Sequence, residues 1–142
     1  MKKPILMLVA FVFIAITALA KTSISKPEVY QKVKNEFMQL KHRACIKACN
    51  ACISSCNKVV SRCTKENDSK MDDCLQLCKE CSTTCIAASE LMSLKSDGVE
   101  EMCALCAAIC EKCAKECKKF KMDDCKECAK DCKKAAKLCR KM

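Results

Sequence analysis

The sequence predicts an all-α protein, an antiparallel up-down-up-down four-helix bundle with a Cys-lined core. Three observations carry this. The 142 residues include one Gly, two Pro, one Tyr and no Trp, too few turn formers and aromatics for a β scaffold. All 18 Cys lie from Cys45 onward, in rows that alternate steps of three and four, the spacing of one helix face. Short polar breaks separate the rows, and short connections make consecutive helices antiparallel neighbours.

Taken in order, residues 1–20 read as a signal peptide. Lys2 and Lys3 form a basic start, Ile5 to Ile16 an apolar run, and Ala18-Leu19-Ala20 a small-residue cleavage site. The run is short for a membrane span, so no membrane association is expected after cleavage. There is no twin Arg, which points to the general secretory route and a periplasmic or secreted protein. Residues 21–27 are a linker, and residues 28–142 are the bundle. Ser25-Lys26-Pro27-Glu28 has the form of a capping box. The first helix is expected from about Pro27 to Thr64.

Along that helix Met38, His42, Cys45, Cys49, Cys52, Cys56, Val59 and Cys63 form one seam, where an ordinary bundle carries Leu and Ile. A second stripe, Tyr30, Val33, Phe37, Leu40 and Ala44, reads as ordinary packing. The polar run Thr64–Ser69 is a loop in which Asp68 or Ser69 caps the second helix. That helix runs to about Leu94 and carries Cys74, Cys78, Cys81 and Cys85. Lys95–Gly98 is a turn, with Asp97 and Glu100 as a capping box. The third helix, about Val99–Lys119, carries Cys103, Cys106, Cys110, Cys113 and Cys117. The fourth, ending near Arg140, carries Cys125, Cys128, Cys132 and Cys139.

The halves repeat. Cys49, Cys52, Cys56 and Cys63 recur 54 residues later as Cys103, Cys106, Cys110 and Cys117. The string KMDDC at Lys70–Cys74 recurs 51 residues later at Lys121–Cys125. A duplicated helical hairpin, with a shorter connection in the second half, accounts for both offsets.

The chain carries a formal charge of +10, which becomes +8 once Lys2 and Lys3 leave with the leader. The lysines spread over the polar face of every helix without interleaved aromatics, so nucleic acid is not an expected partner. The lysines read first as a solvated surface; the second reading is a positive shell that offsets negative charge held inside. With one His, no nucleophile–base arrangement and no Gly-rich loop, nothing points to an enzyme.

Three uses of the thiols compete. As apolar filler, 18 Cys in register would leave a loose core. As a disulfide framework, facing seams could be bridged, but bridges within one helix have diverging Cβ directions. As metal ligands, thiolates with thioether and imidazole are soft donors suited to Cu(I), Zn(II) or iron–sulfur clusters. Iron–sulfur Cys usually sit in loops with Gly or Pro, which are missing here. Zinc held by four thiolates leaves two negative charges per ion, which a narrow core would accumulate. Cu(I) accepts two or three thiolates and shares bridging sulfur, so a continuous sulfur-lined tube fits it better. A disulfide-stabilised structural helical protein and a zinc or heavy-metal buffer remain the rival readings.

With these four Cys rows, and a His and a Met at one end, the chain resembles the four-helix-bundle copper storage proteins over about Met38 to Cys139. The resemblance implies that all 18 Cys point into the core and hold many Cu(I) ions for storage or sequestration. Members of that family can form homo-oligomers, and a copper donor or acceptor protein is an expected partner. Folding the bundle antiparallel gathers Met38, His42, Met92, Met102 and Met142 at one end, an expected entry port for Cu(I). Met71, Met122 and Phe120 gather at the other.

Overall fold

The computed structural model describes residues 26–142. The expected leader, most of the linker and the capping Ser25 lie outside the described residues. Four long helices follow in order: α1 (Lys26–Glu66), α2 (Asp72–Leu94), α3 (Val99–Cys117) and α4 (Asp123–Cys139), with a 3-10 turn at Ser69–Met71 before α2. Among the described residues there is no strand, and no helix is long and apolar enough to cross a membrane.

The chain divides into two compact units, ending and starting at Phe37 and Met38. The unit holding all four Cys rows is Met38–Met142. The first turns of α1 were expected to pack through Tyr30, Val33, Phe37, Leu40 and Ala44. All five are exposed, the four larger ones by 59% or more. A three-four spacing says that one helix face is apolar; it does not say what covers that face.

Within Met38–Met142 the helices close a ring. The Cys52 and Cys81 sulfurs join α1 to α2 at 3.5 Å, and the Cys81 and Cys110 sulfurs join α2 to α3 at 3.4 Å. Arg140 clamps Glu111 with two 2.7 Å bonds between α4 and α3. Arg62 to Asp124 at 2.7 Å and Lys58 to Glu127 at 2.9 Å join α1 to α4. These exposed pairs contribute about 0–1 kcal/mol each, so they fix register more than stability.

The turns use chemistry that the sequence shows only in part. Asp68 caps the 3-10 turn, its carboxylate accepting from the Lys70 N–H at 3.0 Å. At the next turn the expected Asp97–Glu100 capping box does not form. Ser96 Oγ accepts the Gly98 N–H instead, at 3.2 Å, and α3 has no side-chain cap. Helix α2 stops because Lys95 adopts a left-handed φ of 54° while the Ser96 N–H closes onto the Leu91 carbonyl at 3.0 Å. Glycine usually fills that position.

Between the helices sit Ala48, Ala88, Ala107, Ala114, Ala129, Ala135 and Ala136, all buried. Small residues beside the Cys rows let the helices approach closely, because interaxial distance follows the side chains at the contact. The close approach is what brings sulfurs of facing helices into contact.

Candidate metal centre

All 18 cysteines are buried, none more than 5% exposed, and all are free thiols. Each row lands on the inner face of its helix because its spacing follows the turn of the helix. No Asp, Glu, Lys or Arg is buried among them. The core is a column of sulfur.

Its clusters share members. Cys52, Cys81, Cys85 and Cys110 form one group whose sulfurs all lie within 4.8 Å of one another. Cys52 and Cys81 also belong to the next group, with Cys56 and Cys132. Cys56 and Cys132 then join Cys113 and Cys128, and those two join Cys78 and Cys117. Cys45, Cys103 and Cys139 form a trio nearer the start of α1. Cys49 lies 3.8 Å from Cys139, and Cys106 lies 3.6 Å from Cys85, which connects the trio to the column. At the far end Cys74 touches Cys117 at 3.7 Å. Cys63 donates to the Met71 thioether at 3.9 Å.

This geometry suits a metal that bridges. A buried thiolate without a partner costs several kcal/mol, and no cationic side chain reaches the core to offset it. The thiols therefore stabilise one another, some holding protons so that neighbours can lose theirs. The Cys139 and Cys45 thiols hold Cys103 down to about 4, and Cys103 in turn pushes both of those up. The Cys117 and Cys78 thiols hold Cys74 down to about 4. Burial, then the Cys74 charge, pushes Cys125 up to about 12. The pattern is an array of coupled thiols, and Cu(I) can take the place of their protons.

The residues of the expected port lie at the Cys45 end of the column. His42 Nδ1 lies 3.2 Å from the Met92 carbonyl oxygen. A carbonyl only accepts, so Nδ1 carries the proton and Nε2 keeps its lone pair. A metal-binding imidazole is typically oriented through such a bond. His42 is half-buried and one turn before Cys45 on α1. Met92 is buried, and Met38 and Met102 are half-buried. Met142 packs against the core edge. At the other end the sequence places Met71 but not its role. It is 3% exposed and its sulfur lies against Cys63. The signal was the first KMDDC string, whose Met precedes the row by three residues.

A helical bundle whose core is a shared thiolate array, shelled in positive charge, is a store for a soft metal cation. The copper storage protein family model matches residues 38–142, the same unit that holds the column. The chain belongs to the copper storage protein family. The Cu(I)-bound copper storage protein BsCsp3 is 40% identical, with a TM-score of 0.69, over 72% of this chain and 97% of that one. Apo copper storage protein 3 from Bacillus subtilis is 39% identical, with a TM-score of 0.65, over 70% and 95%. The Nmul_A1745 protein from Nitrosospira multiformis is 33% identical, with a TM-score of 0.64, over 72% and 94%. No curated protein is a detectable sequence relative.

Proposed function

We propose that this protein is exported and stores Cu(I) along its thiol column, acting as a reservoir rather than an enzyme. The observation that carries the reading is the sharing of sulfurs between successive clusters. Cys52, Cys56, Cys81, Cys113, Cys128 and Cys132 each serve two groups of four. Isolated four-thiolate sites would suit Zn(II) one ion at a time; shared sulfurs suit a chain of bridged Cu(I) ions.

The ligand set is the full complement of Cys from Cys45 to Cys139. His42 and Met38, with Met92 and Met102 nearby, receive and release the ion at the His42 end. The leader-like segment 1–20 supports a periplasmic or secreted location, where a copper donor or acceptor protein exchanges ions with that end. The exposed stripe Tyr30, Val33 and Phe37 supports assembly into a homo-oligomer.

Anaerobic titration of the reduced protein with Cu(I), against a strong Cu(I) chelator, tests the storage reading. Many ions per chain, bound more tightly than by the chelator, is the expected result. Binding of only one or two ions, or preference for Zn(II) in direct competition, would contradict it.

A further inference from the structure

The thiols of a copper store are also reducing equivalents, and one contact in this core is placed to use them. Three pairs of sulfurs on different helices approach to 3.4 Å: Cys45 with Cys139, Cys52 with Cys132, and Cys81 with Cys110. The last two pairs lie deep in the column. Cys45 and Cys139 lie at its end, one turn below His42, and with Cys103 they form a trio rather than a foursome. Cys139 is also the last residue of α4. A disulfide needs about 2.05 Å between sulfurs, so the 3.4 Å pair must close further. A helix end can make that shift, because the last turn of a helix opens more readily than its middle.

We propose that this end of the bundle reduces Cu(II) to Cu(I) before storing it, with Cys45 and Cys139 as the electron donors and His42 as the landing ligand. The inference rests on the storage reading and adds a chemical step ahead of it. Copper met outside a reducing cytoplasm is Cu(II). The thioethers of Met38, Met92 and Met102 are poor ligands for that ion, whereas an imidazole nitrogen with a free lone pair binds it well. His42 Nε2 is such a nitrogen, and no other His exists in the chain.

The step balances. Two Cu(II) ions each accept one electron. The S–H bonds of Cys45 and Cys139 break, their two protons leave to solvent, and one S–S bond forms between them. The products are two Cu(I) ions and one disulfide. Cys103 is not consumed. It remains as a ligand to pass each new Cu(I) toward Cys49 and Cys106, the next sulfurs along the column. A dithiol reductant then restores the pair by thiol–disulfide exchange. The reduction is stoichiometric for the protein alone and repeats only while such a reductant is present.

The test uses the full, reduced, metal-free protein without oxygen, given two equivalents of aqueous Cu(II). Electron paramagnetic resonance follows the Cu(II) signal, thiol titration counts the residues oxidised, and peptide mapping locates any disulfide. The expected result is loss of the signal, one thiol lost per Cu(II), and a disulfide between Cys45 and Cys139. The double variant Cys45→Ser/Cys139→Ser should reduce Cu(II) about 10-fold more slowly, and Ser55→Ala, a buried change on α1 outside the thiol row, should not. Equal rates in the two variants, or a disulfide mapped elsewhere in the unmodified protein, would overturn the proposal. Mapping of the unmodified protein needs no variant to fold. If Cu(I) binds normally but the Cu(II) signal persists, this inference alone fails. If Cu(I) does not bind, the storage reading has failed first.

Discussion

The His42 imidazole and the Met92 carbonyl, 3.2 Å apart, tie the start of the sulfur seam on α1 to the last turns of α2. The bond does two things at once. It fixes the ring between two antiparallel helices, and it assigns the proton to Nδ1. An untethered His on a helix surface would rotate and exchange tautomers. Here the backbone of another helix holds the ring, so the orientation of the imidazole is a product of the fold.

Loading should stabilise the bundle strongly. Among the described residues, the buried apolar side chains larger than Cys are only Val59, Met71, Met92 and Val99, against the ~1.5–3 kcal/mol that each buried large aliphatic contributes. Ions that bind only the folded state add their binding energy to its stability, about 4 kcal/mol for one site at 1,000 times its Kd. Calorimetric melts should show Tm rising by more than ~15 °C on filling with Cu(I). Equal midpoints for empty and filled protein would mean that the column does not hold the metal.

Protons should leave unevenly as copper enters. Neighbouring thiols lower Cys74 and Cys103 to about 4 and Cys106 to about 5, so these give up their protons most readily. Cys125 is raised to about 12 and must release a proton to bind. The first ions should therefore release few protons at pH 7 and later ions more, as read by pH-stat titration. The lowered groups keep their ligand form until pH falls through about 4 to 5, so early binding should survive mild acid. For the empty protein the raised group acts in the opposite sense. Cys125 favours folding below its unfolded value of 9.0, and that stability is lost as pH rises toward about 12. A uniform proton release per ion would show that the thiols are equivalent.

A single substitution at the turn between α2 and α3 should stabilise the protein without touching the core. Lys95 holds a left-handed φ of 54°, which costs a side chain with a Cβ. Lys95→Gly should raise stability by about 0.5–1 kcal/mol, read as a higher denaturation midpoint with unchanged slope. A lower midpoint would show that the Lys95 side chain has a compensating contact.

The sequence made the column legible because a thiol row at three-four spacing has one geometric meaning, and four such rows need one another's faces. Other features needed coordinates. The seam from Tyr30 to Ala44 has the same spacing as the Cys rows, yet it is exposed, because periodicity identifies a face and not its partner. Asp97 and Glu100 have the form of a capping box, but Gly98 stands at the N-cap of α3, so Asp97 falls one position too early. The role of Met71 emerged only when the 3-10 turn swung its thioether onto Cys63. The tautomer of His42 depends on a carbonyl 50 residues away.

Capacity should fall gently when one thiol is lost. Cys81 belongs to two clusters, with Cys52 in both. In a column of bridging sulfurs, Cys81→Ser removes about one ion, since neighbouring clusters retain their other ligands. Equilibrium titration reads this directly. Loss of all tight binding from that one change would point instead to a single dedicated site.

The port should govern rates and leave capacity nearly unchanged. Met38 and His42 continue the row of Cys45 and Cys49 but offer neutral ligands, thioether and imidazole. These bind Cu(I) without first losing a proton, and they release it more readily than a pair of thiolates. An ion should therefore move from His42 to the Cys45, Cys103 and Cys139 trio, and from there into the shared clusters around Cys52, Cys81 and Cys132. The double change Met38→Ala/His42→Ala should slow both loading from a Cu(I) donor and removal by a chelator, by about 10-fold. Final capacity should hold, because all 18 thiols remain. His42 also braces α1 against α2 through Met92, so the same variant should lose about 1 kcal/mol of stability in a melt. A purely structural role predicts that stability change alone. Stopped-flow transfer measured in both directions separates the two: unchanged rates beside a lowered Tm would reduce His42 to a brace, and the entry point would have to be sought at the Met71 end.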